Sequence, residues 1–300
     1  MKVRIGKLPQ PSLAAARALL KVACEYDEAA LVAEEKLFFP GALGRPAEPL
    51  GAYLGDQLIG LACTSQRWLR LLAVHPGHRG KGCGSALLLA CEKQIKSHAS
   101  SASLMDQPGN YLSPGIDERN QDSIRWLTKR GFAHSGEANN LRIELASNPL
   151  ISQSRYREQE SALRAQGYQL ARLAAHQLDA TAAMVEKEFS KGWAFEMTRA
   201  ASASEPGVHL ATELSSGTVV AFAAHDGNNQ GLGWFGPTGT LEPHRGRGIG
   251  AALLVACLLD VQASGLGEAQ IAWIGPRDFY DKIVGIKSER RFILMNKELQ

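Results

Sequence analysis

Two copies of one glycine-rich turn constrain this chain more than any other stretch. The first reads Arg79-Gly80-Lys81-Gly82-Cys83-Gly84-Ser85 and the second Arg245-Gly246-Arg247-Gly248-Ile249-Gly250-Ala251, and each runs into Ala-Leu-Leu. Each follows a β-leaning run (residues 68–74 and 231–240) and opens a stretch of helical composition (residues 84–96 and 249–263). A strand, a glycine loop and a helix N-terminus in that order form an anion site. Glycines let main-chain N–H groups approach phosphate oxygens, and the helix end adds partial positive charge. The two arginines lie 166 positions apart, far beyond the roughly 20–50-residue period of a solenoid. Residues 2–27 match residues 168–194 at about the same offset, so the chain reads as one domain repeated in tandem.

The phosphate ligand is narrowed by what the loops lack. Neither has the Gly-Lys-Ser/Thr ending of a P-loop. The glycines are spaced G-x-G-x-G rather than G-x-G-x-x-G, and no acidic residue follows where a dinucleotide ribose would need one. A bare turn is the alternative for one such loop, and the second copy argues against it.

Three hundred residues suit two domains of roughly 150 each, expected over residues 1–147 and 154–300 with a linker at 146–153. The net charge of +3 is too small and dispersed for nucleic acid. The N-terminus shows no apolar signal core, and the longest apolar run, residues 249–259, is too short to cross a bilayer. Cys24, Cys63, Cys83, Cys91 and Cys257 form an odd set without C-x-x-C, read as reduced core thiols in a cytoplasmic protein. Only Cys83, inside the first loop, invites a check for reactivity. The eight histidines form no metal-spaced cluster, so no metal is implied.

In chain order, residues 2–8 read as a strand and 12–26 as a helix that Ser12 can cap. Residues 28–39 read as a second helix, and 51–64 as a hairpin about Gly55-Asp56. Residues 98–115 show little regularity, 120–130 return to helix, and 133–145 form closing strands. In the second half, 168 opens a strand, 178–189 is helix, and 208–213 with 218–225 form a hairpin. The helix at 249–263 is apolar nearly all round and should be wedged between layers. Residues 269–274 form a fifth strand, 278–283 a short helix, and 291–297 close the sheet.

Arg-x-x-Gly-x-Gly at a helix start after a strand resembles the acetyl-CoA motif of the GNAT superfamily of N-acetyltransferases, and here it occurs twice. The resemblance implies an α+β fold of tandem domains, each a mixed, mostly antiparallel sheet flanked by helices. It implies a bulged fourth strand that splays from the fifth to admit the pantetheine arm of acetyl-CoA. It assigns Val74, Arg79, Gly80, Gly82, Gly84 and Ser85 to a first cofactor loop, and Arg245, Gly246, Arg247, Gly248, Ile249, Gly250 and Ala251 to a second, with Arg side chains on the pyrophosphate. Backbone N–H groups near Thr238 would polarise the acetyl carbonyl, with Thr240 nearer the pantetheine. Such donors contribute about 3–4 kcal/mol each as charge develops on oxygen.

The family usually carries Asn-x-x-Ala-Ile-x-x-Tyr-x-x-x-Gly-Phe after the fifth strand. The first half has Asn120, Ile124 and Trp126-Leu127, so Leu127 takes the tyrosine position; Tyr111 is the substitute weighed, and an exposed loop tyrosine is the reading favoured for it. The second half has Tyr280, expected to protonate the leaving thiolate from a catalytic C-terminal domain; a packed core tyrosine is the alternative. Donation from a phenol near 10 to a thiolate near 8.5 is uphill by about 2 kcal/mol, so hydrogen bonding counts for more than full transfer. Asp278 leads the candidates for general base, ahead of Glu242, His225 and Asp226. Trp234 and Trp273 are either an aromatic wall for a sugar or core. Gly233–Gly239 with Trp273–Tyr280, together with Pro108–Gly115, looks like bacterial tandem enzymes that acetylate glucosamine and glucosaminides. Other small amines and protein N-termini stay open, as does a non-catalytic acetyl-CoA sensor or scaffold. The partner expected is a small-molecule amine, with no nucleic acid and no membrane.

Overall fold

The computed structural model describes residues 3–203 and 205–299; Lys2, expected to open the first strand, lies outside them. The chain forms two compact units, Met1–Ala138 with Arg291–Gln300, and Asn139–Arg290. Elements run β1 (Arg4–Lys7), α1 (Leu13–Ala23), α2 (Ala33–Phe38), β2 (Glu48–Leu54), β3 (Gln57–Ser65), β4 (Trp68–Val74), α3 (Cys83–Lys96), β5 (Ser101–Leu104), β6 (Ile116–Asp117), α4 (Gln121–Thr128) and β7 (Ala133–Glu144). There follow α5 (Gln153–Ala165), β8 (Tyr168–Arg172), α6 (Leu178–Glu188), α7 (Lys191–Ala201), β9 (Val208–Glu213), β10 (Val219–His225), β11 (Trp234–Thr240), α8 (Ile249–Ala263), β12 (Glu268–Ile271), α9 (Arg277–Val284) and β13 (Ser288–Glu298).

In the first unit β1 to β4 are consecutive antiparallel neighbours, and β5 joins β4 in parallel. The strand on the far side of β5 is the chain's last: Asn296 faces Ser103 and Glu298 faces Ser101, antiparallel. The second unit repeats the plan with β8, β9, β10 and β11 antiparallel and β12 parallel to β11. Its outer strand comes from the first half of the sequence, Leu141 of β7 facing Ile271 and Glu144 facing Glu268. The two halves of the sequence thus exchange their closing strands.

That exchange corrects the division at 147 and 154. The boundary falls inside β7, because backbone pairing holds residues 139–144 in the second sheet while 291–298 complete the first rather than the second. Residues 146–153 are not a linker either. Asn148 donates from Nδ2 to the carbonyls of Glu144 (3.0 Å) and Val284 (2.6 Å), which builds the segment into the second unit.

Two irregularities prepare the site. β4 and β5 pair only at Trp68–Ser103 and Leu69–Leu104, and β11 and β12 only at Trp234–Gln270 and Phe235–Ile271, so both pairs part beyond those residues. Each inner strand also bulges next to the parting. On β4 the register against β3 jumps between Leu69 and Leu71, leaving Arg70 as the extra residue. On β11 it jumps between Phe235 and Thr238, leaving Gly236 and Pro237, joined by a cis peptide, opposite Ala224. A bulge bends the strand and frees main-chain groups that a regular ladder would consume.

The apolar helix α8 is buried as expected. Its Leu254, Val255, Cys257 and Leu258 are fully buried, with Ala221, Ala223 and Phe235 of the sheet and Leu163 of α5 in the same core. A helix covered on both sides needs no polar face. The opposite face of this sheet packs Phe222 and Leu210 on Val185 of α6 and Met197 of α7. Among the described residues no helix is long and apolar enough to cross a membrane. Ser12 does not cap α1 through its side chain; a 3-10 turn at Gln10–Ser12 leads into that helix instead.

Candidate active site

Both glycine loops take the conformation their sequence demands. Gly80 and Gly82 have φ of +73° and +83°, and Gly246 and Gly248 have +77° and +89°. Gly82 and Gly248 are the left-handed N-caps of α3 and α8 and supply no side chain to the helix end. Consequently the amides of residues 80–85 and 246–251 find no acceptor among the described residues, and the first helical bonds run from Ala86 to Gly82 (3.0 Å) and from Ala252 to Gly248 (3.1 Å). Each row of free N–H groups sits on a helix N-terminus, where an anion is stabilised by the dipole.

The arginines that open the loops also make contacts within the chain. Arg79 donates from Nε to the carbonyl of Val74 (3.1 Å) and from Nη2 to that of Ala23 (2.9 Å). Arg245 repeats the first contact, Nε to the carbonyl of Thr240 (3.0 Å). Each guanidinium ties the end of its strand to the loop that follows. Arg247 is exposed, 5.9 Å from the ring centre of Tyr168. Thr238 donates its hydroxyl to the carbonyl of Phe222 (3.1 Å).

A cleft of about 780 Å³ opens in the first unit. Its walls include Leu71 to Val74 of β4, the Arg79–Ser85 loop, Leu104 and Met105 at the end of β5, Tyr26, and Trp126 and Arg130 beside α4. The cleft is thus the parting of β4 and β5, with the free amides at one end. A Cβ built on Gly84 would lie 3.4 Å from the Trp126 ring, in ordinary contact with that wall. Arg130 lies 3.9 Å over that ring and donates to Ser85 Oγ (2.8 Å), which brings a cation to the amide row. Sequence reasoning missed Arg130 because it follows the helix rather than the glycine motif. It also expected Tyr111 to be exposed; the residue is 7 % exposed, inside the loop after β5.

Equivalent geometry recurs in the second unit, where Gly250 lies under Thr240 and Phe279 of α9. Tyr280, next to Phe279, is turned inward and its hydroxyl has no hydrogen-bond partner among the described residues. Burial raises its pKa above the usual phenol value, so the proton stays on oxygen at neutral pH. Asp278, expected as the base, is turned wholly to solvent, 3.9 Å from Arg277. Residues two apart on a helix do not share a face, so Asp278 and Tyr280 occupy different environments. Trp234 is 8 % exposed and Trp273 is 40 % exposed at a φ of +46°. Cys83 is buried, which lifts its thiol pKa and opposes a nucleophilic role.

His225 and Asp226 are committed elsewhere. Asp260, eleven residues past the start of α8, accepts from His209 Nε2 (2.7 Å), His225 Nε2 (3.3 Å) and Arg172 Nη2 (2.7 Å), while His225 Nδ1 bonds Asp226 (3.1 Å). At 1.5 Å per residue that is roughly 16 Å along the helix from the glycine loop. Burial by itself lowers the His225 pKa, but the bonds to Asp226 and Asp260 outweigh it and raise the value to about 9. Desolvation raises the Asp260 pKa, and its histidine partners reverse this and hold it well below the usual carboxylate range. An imidazolium cannot take a proton, so His225 is removed from the list of bases. Its folded pKa exceeds the unfolded one near 6.5, so its stabilisation is complete below pH 6.5 and is lost as pH rises through about 9. Denaturant melts should show a loss of about 3 kcal/mol across that window, absent in His225→Gln; an unchanged profile in both would contradict the ion cluster.

Residues 15–132 match the model of the acetyltransferase (GNAT) family. No curated protein sequence matches the chain. Among solved structures, the GCN5-related glucosamine N-acetyltransferase region of a fungal multi-domain GH3 β-N-acetylglucosaminidase superposes with a TM-score of 0.80 at 16 % identity. The match covers 98 % of this chain and only 38 % of that much longer protein. A GCN5-related N-acetyltransferase from Sphaerobacter thermophilus gives 0.70 at 20 % identity, covering 99 % and 95 % of the two chains. A tandem GNAT protein from the clavulanic acid biosynthesis pathway gives 0.69 at 16 %, covering 99 % and 98 %. At such identities the likeness is one of fold, and it extends over both units. The match to the acetyltransferase (GNAT) family model thus lies on the first unit, and the second unit repeats that unit's sheet plan.

Proposed function

We propose that the chain is an acetyl-CoA-dependent N-acetyltransferase that moves acetyl to a primary amine by direct attack. The observation that carries this reading is the row of acceptor-free amides at the foot of a parted, bulged strand pair, present twice. The groups present fit the carrier: the amides suit a diphosphate, and a parting between two strands suits a narrow arm. Acetyl-CoA supplies the thioester. The amine lone pair forms the new C–N bond at the carbonyl carbon, the C–S bond breaks, and the thiolate takes a proton.

In the second unit Tyr280 holds that proton at its hydroxyl, and free main-chain groups along the β11 bulge face the carbonyl oxygen. The proton lost by the amine goes to water, because Asp278 is turned wholly to solvent and does not share a helix face with Tyr280. An amino sugar suits that weakness, since its amine is partly neutral at pH 7. Glucosamine or a glucosaminide is therefore the acceptor we favour, in keeping with the likeness to the fungal glucosamine N-acetyltransferase region.

The test is release of CoA thiol from acetyl-CoA across an amine panel containing glucosamine. At least one amine should accelerate release by about tenfold or more over hydrolysis. A flat response from protein that binds acetyl-CoA would support a sensor and reject the enzyme.

A further inference from the structure

The two partings differ on the face away from α3 and α8, and the difference starts at the bulge. In the first unit the bulge residue is Arg70, which is fully buried. It donates from Nη1 to the carbonyls of Phe39 (2.6 Å) and Lys36 (3.3 Å) and from Nε to Gln107. Gln107 begins a stretch after β5 that stays on this face. Its Nε2 donates to Ser65 Oγ (3.2 Å), and Asn110 Nδ2 donates to the carbonyls of Glu35 (3.0 Å), Phe39 (3.1 Å) and Pro40 (3.1 Å). Lys36 Nζ donates to Asn110 Oδ1 (2.9 Å) and pairs with Glu35 (2.5 Å). Residues 109–117 are all buried. Leu112 and Ile116 from the same stretch form part of the lining of the cleft.

Among its described residues the second unit has no counterpart of the stretch at 107–117. Sixteen residues join β5 to α4, whereas five join β12 to α9. Its bulge is Gly236 and Pro237 instead of an arginine, and a Cβ built on Gly236 meets no atom within 4 Å. One parting is therefore filled on its second face by residues 107–117 and Arg70, and the other lacks both, with the Phe189 ring against Gly239 farther along β11.

An acyl transfer needs both faces of a parting, because the carrier's arm occupies one and the amine must arrive by the other. We infer that the first unit is a binding site for the CoA thioester closed to the amine: residues 107–117 and Arg70 fill the amine's path, and Leu127 stands where a proton donor would be. It holds a carrier without consuming it, and turnover belongs to the second unit alone. This rests on the transferase reading above. A buried ionic network opens reluctantly, since separating Lys36 or Arg70 from its partners would leave a charge uncompensated in the interior.

The experiment uses the full chain. Calorimetric titration with acetyl-CoA should give two equivalents per chain. Protein loaded with two equivalents of acetyl-labelled acetyl-CoA is then mixed with the accepted amine and an excess of unlabelled carrier. About half the label should appear in the amide in a fast phase, and the rest should leave as intact acetyl-CoA. Tyr280→Phe should still bind two equivalents and lose the fast phase. Transfer of all the label, a half-sized fast phase surviving in Tyr280→Phe, or binding of a single equivalent would each overturn the inference. Two equivalents bound with no transfer to any amine would sink the transferase reading and leave the closed first cleft standing.

Discussion

Tyr280→Phe should lower turnover by about 100-fold, the lower end of the range for loss of a positioned proton donor, with acetyl-CoA affinity changed less than twofold. The substitution removes one oxygen from a side chain that is already buried, and that oxygen makes no hydrogen bond within the described structure. No protein partner is therefore left stranded, and stability should hold or rise slightly. The proposed diphosphate site is the amide row of residues 246–251 rather than Tyr280, so binding and chemistry should separate: kcat falls while the carrier's dissociation constant does not. Stopped-flow thiol detection with calorimetry on the same sample measures both. Activity equal to the parent's would make Tyr280 a packing residue only. The raised pKa also has a consequence for pH profiles, since the hydroxyl remains a donor above the usual phenol range and no alkaline loss from this group is expected below pH 10.

Gly248→Val should weaken carrier binding in the second unit by about 100-fold. Gly248 has φ of +89° with no atom within 4 Å of a Cβ, so space is available but the backbone conformation is not. A β-branched residue there costs on the order of 1–3 kcal/mol in strain. The loop relieves that strain by turning, and turning misaims the amides on either side. Each charge-assisted bond lost is worth about 1.5–3 kcal/mol, so one is enough for the stated factor. Gly248→Ala should show a smaller effect in the same direction. Calorimetry would then retain one carrier equivalent, at the first loop. Unchanged affinity in both variants would mean that the amides of residues 246–251 do not hold the diphosphate.

What could be read from the residues was local. The loops, α8 and the hairpin strands carry their own signals, in positive-φ glycines, uninterrupted apolar composition and alternation. Other features depend on partners far along the chain. β5 is only Ser-Ala-Ser-Leu, and it is a strand because Asn296 and Glu298 pair with it. The helix expected at residues 28–39 is confined to Ala33–Phe38, which buries Glu35 and Lys36 under a loop more than seventy residues away. α7 has a local start signal in Ser190, whose Oγ accepts from the Trp193 amide (3.1 Å). At the site, the glycine positions were legible, but the bonds of Arg79 and Arg245 to the main chain were not, since they depend on carbonyls that only the folded strand presents. The pairing of His225 with Asp260 was hidden for the same reason, as the two are 35 residues apart in sequence.

Duplicated genes ordinarily drift apart, and one copy is free to decay or be discarded. Here that freedom is curtailed by plain backbone chemistry. Deleting either copy would take away the outermost ladder of the survivor and leave four residues of raw edge, at β5 or at β12, open to any other chain. Side chains in each copy can therefore diverge in role while inheritance keeps the two together.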